Sequence, residues 1–236
     1  MKSYALASLI ALWNFSAWAV ECPAPDGTSP NALAAQPADV RLAFLSKVIS
    51  EQSANTRTWK LLWGTGYALI TMGQVVLMSL TPEADRPDWV IGAAASSVGF
   101  ATTIIGGLEV TEAGPGFVER ARVATPEQTC AVIADGERML REGAATQAFS
   151  AGWVSHVANV LFNAGVGLIL GLGYGHWRTA GINFGVGTVI GGATALTRPT
   201  GLVRGWEQYR AGASTAPKVT FQLVPSGLGA GVLLTF

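Results

Sequence analysis

The chain has 236 residues, half of them hydrophobic and only 13% charged, against about 25% charged in an average soluble protein. Mean hydropathy is +0.37, and the 15 basic and 15 acidic residues cancel. The balance selects lipid as the solvent and leaves no electrostatic footprint for nucleic acid, which is excluded as a partner.

Residues 1–19 begin with Lys2, pass through ALASLIALW and end in Ala17-Trp18-Ala19. That is the form of a signal peptide with a small-x-small cleavage site, and it predicts export. Residues 20–37, rich in Pro, Ala, Asn and Ser, read as a linker. Over 38–58 Asp39 can cap an amphipathic helix in which Val40, Phe44 and Val48 recur at steps of four. Such a helix lies either on a membrane surface or against the protein's own helices.

Residues 59–108 read as a transmembrane hairpin. Trp59 to Leu80 has no ionisable side chain after Lys60, and its length suits a hydrocarbon core at about 1.5 Å per residue. Pro82 and Pro87 reverse the chain, and Trp89 to Leu108 follows with Ala95, Gly99, Thr103 and Gly107 at steps of four. Gly114, Pro115 and Gly116 make 109–126 a linker, and Thr125-Pro126-Glu127-Gln128 opens a second amphipathic helix over 127–152 with a capping box. A second hairpin occupies 153–197. Its first arm carries Asn159, Asn163, Gly167, Gly171 and Gly175 at steps of four, and its second carries Asn183, Gly187, Gly191 and Ala195. Residues 198–217 form a linker with a short helix around Leu202, Trp206 and Tyr209. Over 218–236 the period changes to two, which predicts a terminal β-hairpin.

The fold class expected is an all-α membrane bundle: four transmembrane helices in two glycine-rich hairpins, amphipathic periplasmic helices and the carboxyl-terminal hairpin. Tryptophans open all four arms (Trp59, Trp89, Trp153, Trp177), and Thr-x-Ile-Gly-Gly recurs at 103–107 and 188–192, a pattern that either internal duplication or a glycine-rich composition produces. Gly99, Gly107, Gly167, Gly171, Gly175, Gly187 and Gly191 are the candidate packing positions, because small residues let helix backbones approach closely inside a bilayer. His156, Asn159 and Asn163 share one helical face and form the conspicuous polar stripe at membrane depth. Such groups serve either as interhelical hydrogen bonds or as a site. Asp and Glu are absent from the expected spans, and no hydrolase elbow, metalloprotease helix or phosphate loop occurs. No enzyme activity, catalytic residue, metal or cofactor is expected.

Export would place 20–58, 109–152 and 198–236 in the periplasm, where Cys22 and Cys130 share an oxidising compartment and can form a disulfide. Arg41, Lys47, Arg57, Arg120, Arg122, Arg138, Arg141, Arg204 and Arg210 lie on the same side, opposite to the positive-inside rule for an inner-membrane protein. Val232, Leu234 and Phe236 resemble the terminal strand signal of bacterial outer-membrane proteins, which implies the outer membrane rather than the inner. Nineteen residues supply two strands where a barrel needs about eight. Thr197-Arg198-Pro199-Thr200-Gly201 and the glycine-rich hairpins are similar to uncharacterised exported membrane proteins of myxobacterial type, a resemblance that implies no activity. The expected function is a structural or assembly role in the cell envelope, with the lipid bilayer and a homo-oligomer or another envelope protein as partners. The alternatives are an oligomeric pore lined by the His156, Asn159 and Asn163 stripe, and a soluble bundle with the apolar arms as core.

Overall fold

The computed structural model describes residues 20–105, 108–212, 220–226 and 229–235, with side chains over 20–105 and 110–212. The expected signal peptide at 1–19 and Gly107 lie outside the described residues. The described chain is dominated by helices: α1 (Ala38–Leu80), α2 (Arg86–Ile105), α3 (Leu108–Val123), α4 (Pro126–Ala151), α5 (Trp153–Leu168), α6 (Trp177–Leu196) and α7 (Gly201–Ala211). Among the described residues four stretches are long and apolar enough to cross a membrane, Ala38–Leu80, Glu83–Val123, Trp153–Gly173 and Trp177–Ala211. Their large apolar side chains point outward, with Leu62, Leu172 and Val189 69%, 72% and 70% exposed. Each exposed Å² would cost about 25 cal/mol in water and nothing in lipid, so this packing fits a bilayer and not a soluble core.

The amphipathic helix expected at 38–58 and the first span are not separate elements. They form one helix of 43 residues, about 65 Å long, because neither glycine nor proline interrupts 38–63. Its buried face is Arg41, Leu45, Ile49, Ser53 and Thr56, one residue out of phase with Val40, Phe44 and Val48. Arg41 hides this stripe from a hydrophobicity reading, yet it is 1% exposed.

Arg41 is buried because every side around it offers an acceptor. Its Nη1 donates to the Cys22 carbonyl at 2.7 Å, Nη2 to the Pro23 carbonyl at 2.8 Å and to Glu137 Oε1 at 2.5 Å, and Nε to the Tyr209 hydroxyl at 3.0 Å. The Tyr209 hydroxyl in turn donates to Glu137. Cys22 and Cys130 are joined in a disulfide, so the segment after residue 19 is tied to α1, α4 and α7 by a covalent bond and by this network. Around it Leu45, Ile49, Phe117, Ile133, Leu140 and Leu202 form one core. This assembly of the α1 start, α3, α4 and α7 is a head on which the two hairpins stand.

The linker expected at 109–126 is largely helical, as α3. Pro115 sits inside it, and Gly114 is placed so that an added Cβ would lie 3.0 Å from the Ser53 side chain. The glycine read as a breaker is therefore the point of contact with α1. Thr125 and Gln128 form the expected capping box at the start of α4. Further along α4, Gln147 Oε1 accepts the Leu202 backbone N–H at 2.9 Å, satisfying one of the free donors in the first turn of α7. The terminal hairpin expected at 218–236 has no support from described side chains. Only the backbones of Thr220–Ser226 and Gly229–Thr235 bear on it, in antiparallel register. Phe236 and the side chains of Val232 and Leu234 lie outside the described residues.

Candidate functional site

In each hairpin some glycines receive side chains from the opposite arm. Tyr67 and Gln74 of α1 lie over Gly99 and Gly92 of α2, and Asn163 and Asn159 of α5 lie over Gly187 and Gly191 of α6, so closely that an added Cβ would collide with them. Gly171 likewise accommodates the Trp177 ring, 2.6 Å from where its Cβ would be. Of the described ladder glycines Gly167 alone faces backbone, with an added Cβ 3.3 Å from the Ala180 carbonyl oxygen. Gly175 is not a packing position. Its φ of +76° and the absence of any atom within 4 Å mark it as the turn residue, where a left-handed backbone favours glycine. The bonds from Gly175 N to Gly171 O and from His176 N to Leu170 O, both 3.0 Å, close the π-helical turn Ile169–Gly173 before it.

The polar stripe divides. Asn159 Nδ2 donates to the Thr188 carbonyl across the hairpin at 3.0 Å, while Asn163 Nδ2 donates to Asn159 Oδ1 at 2.9 Å and to the Asn159 carbonyl at 2.8 Å. His156 is half-buried and does not line the space between the hairpins. His176, in the turn before α6, has Nδ1 2.6 Å from Asp88 Oδ1. It links the tip of one hairpin to that of the other.

The two hairpins diverge around a cleft of about 570 Å³, within the roughly 300–1,000 Å³ of small-molecule sites. Its walls are mainly apolar. At one end lie Gln74, Gly92 and Asn183, and at the other Trp59, Phe149 and Arg198. Trp59 and Gln74 are 15 positions apart on α1, which gives it a length of about 22 Å. Deep in the cleft Ser96 Oγ lies 2.8 Å from Thr71 Oγ1 and donates to Gln74 Oε1 at 2.8 Å. Tyr67 Oη and Thr194 Oγ1, 3.1 Å apart, connect α1 to α6. Towards the head the indoles of Trp59 and Trp63 donate to Thr197 Oγ1 at 3.3 and 2.9 Å. Tryptophans so placed suit the level where hydrocarbon meets water.

Of the residues singled out in the sequence, Asn159, Asn163, Gly99, Gly187 and Gly191 line this cleft, but the cleft itself was not read because its polar members are spread over five helices. A weak signal lay in α2, where Gly92, Ser96, Gly99 and Thr103 share the face that lines it. Arg198 read only as the first residue of the linker at 198–217. Among the described residues no group of three or more His, Cys, Asp or Glu side chains is placed to hold a metal ion.

No protein-family model, curated protein or solved structure matches this chain. Fold and cleft define its class from within: a helical protein with four stretches able to span a membrane, a helical head and a cleft between two hairpins.

Proposed function

We propose that this chain is an exported integral membrane protein of the bacterial cell envelope with a structural or assembly role, the head on the periplasmic side and the hairpins associating with further copies or another envelope protein. The observation that supports it is the small-residue face of α6 left open. Gly181, Gly185 and Gly192 lie within one narrow arc of that helix and have nothing within 4 Å, whereas Gly187 and Gly191, about a third of a turn away, are filled by Asn163 and Asn159. In lipid, close packing of such a face against another helix drives association. The periplasmic head is consistent with the Cys22–Cys130 disulfide. Assembly at the outer membrane through a terminal strand ending at Phe236 belongs to the same proposal.

A pore lined by His156, Asn159 and Asn163 is the weaker reading, because Asn163 donates to two acceptors of Asn159 and Asn159 donates to Thr188, all inside the hairpin. The test is the oligomeric state of the purified full chain in mild detergent, by native electrophoresis and light scattering. Gly185→Leu should convert an assembly to monomer and leave thermal stability near that of the parent. A parent monomeric at all concentrations, together with no co-purifying envelope protein, would overturn the assembly role.

A further inference from the structure

Arg198 is the arginine that lines the cleft. It follows the last turn of α6, lines the head-side end of the cleft, and has its guanidinium 5.1 Å from the centre of the Trp59 ring. Among the described residues no hydrogen bond or ion pair engages its side chain, whereas Arg41, Arg120, Arg122 and Arg138 all have carboxylate partners. Lys60, itself buried, adds a second positive charge that feels both Arg198 and Glu112. A half-buried arginine with free donors matches the phosphate of a lipid headgroup, which such a fork can bind through two hydrogen bonds. The cleft leading away from it is apolar-walled and about 22 Å long, more than the roughly 15 Å depth of one leaflet.

We propose that the cleft between the hairpins is a binding site for one anionic phospholipid, its headgroup phosphate held by Arg198 beside Trp59 and one acyl chain lying between α2 and α5. The inference rests on the membrane reading and is independent of the assembly role. It assigns the cleft a ligand that the bilayer supplies at the depth where Arg198 sits. The satisfied bonds among Thr71, Ser96 and Gln74 then form the floor on which the chain ends, with no further partner required.

The test uses the full chain, delipidated in detergent and offered mixed micelles of phosphatidylglycerol or of phosphatidylcholine with identical acyl chains. Native mass spectrometry then reads the retained lipid. One phosphatidylglycerol should be retained about tenfold more strongly than phosphatidylcholine, a difference of about 1.4 kcal/mol. Arg198→Gln should abolish the preference, and Arg198→Lys should keep most of it. Ala158→Trp, which fills the cleft wall, should displace both lipids while leaving the head disulfide and the melting profile intact. Equal retention of the two lipids, or phosphatidylglycerol retained undiminished by Arg198→Gln, would overturn the proposal. Gly185→Leu separates the two proposals, since it should lose assembly and still retain the lipid. Recovery of the chain in the soluble fraction after alkaline extraction would instead defeat the membrane reading itself.

Discussion

Replacing Arg41 by methionine should destabilise the head more than any other single charge removal. The Arg41 and Glu137 side chains are 2% and 12% exposed, so the carboxylate left behind stays largely out of water. Breaking such a pair from one side costs about 3–5 kcal/mol, a large part of the roughly 5–15 kcal/mol that holds a domain folded. The carbonyls of Cys22 and Pro23 lose their donors in the same substitution. The assay is denaturant unfolding of the full chain in detergent, followed by near-ultraviolet circular dichroism of the head aromatics, Phe44, Trp206 and Tyr209. The double variant Arg41→Met/Glu137→Gln should recover part of the loss. It removes the orphaned charge, and the amide oxygen introduced in place of the carboxylate can still accept the Tyr209 hydroxyl. The reasoning is refuted if the single variant costs less than about 1 kcal/mol, the range of exposed ion pairs, or if the double variant is less stable than the single.

Other consequences are as open to measurement. The Cys22–Cys130 disulfide closes a separation of 108 residues, for which chain entropy gives roughly 4.7 kcal/mol. Cys22→Ser/Cys130→Ser should lower the unfolding midpoint accordingly, and mature parent chain taken from cells should resist maleimide labelling until reduced. Gly191→Leu should disrupt the α5/α6 hairpin, because the new side chain occupies the volume of the Asn159 amide, with a loss of about 1–3 kcal/mol or more; parental stability in that variant contradicts the packing described. Thr197→Val removes the acceptor shared by the Trp59 and Trp63 indoles and should cost about 1–3 kcal/mol, read as a lower melting temperature together with a shifted tryptophan emission.

Acid should weaken the head through Asp135. Burial pushes its carboxyl up, but hydrogen bonds and charge from Arg138 and Arg120 pull it further down, to below the ordinary value of 3.8. A depressed carboxyl contributes stability that is fully present above its unfolded pKa and is lost as pH falls through the folded one. The stability profile should therefore drop below about pH 4, and Asp135→Asn should flatten that limb; an unchanged acid limb in the variant removes Asp135 as its cause.

The reach of the sequence can be judged residue by residue. Composition and run length determined the lipid-facing helices, because a stretch such as Trp59 to Leu80 without charge has one favourable solvent whatever it packs against. The start of α4 was legible too, since Thr125 and Gln128 act on their own backbone. Arg41 was not, because a buried arginine is stable only when acceptors from Cys22, Pro23, Glu137 and Tyr209 converge, and these are far apart in the chain. Periodicity located the stripes of glycine and asparagine but not their use. Side chains of the opposite arm fill Gly92, Gly99, Gly187 and Gly191, and that depends on the register between arms. Helix α3 formed across Gly114 and Pro115 because contact with Ser53 outweighed a local preference for a break. The cleft and its arginine belong to tertiary structure alone, since a space between helices exists only once two hairpins stand on one head. The sequence by itself thus determined which segments seek lipid, a matter of solvation summed along the chain. Only the tertiary structure decided which polar groups are satisfied and which, like Arg198, remain free to bind, because satisfaction depends on geometry between distant residues.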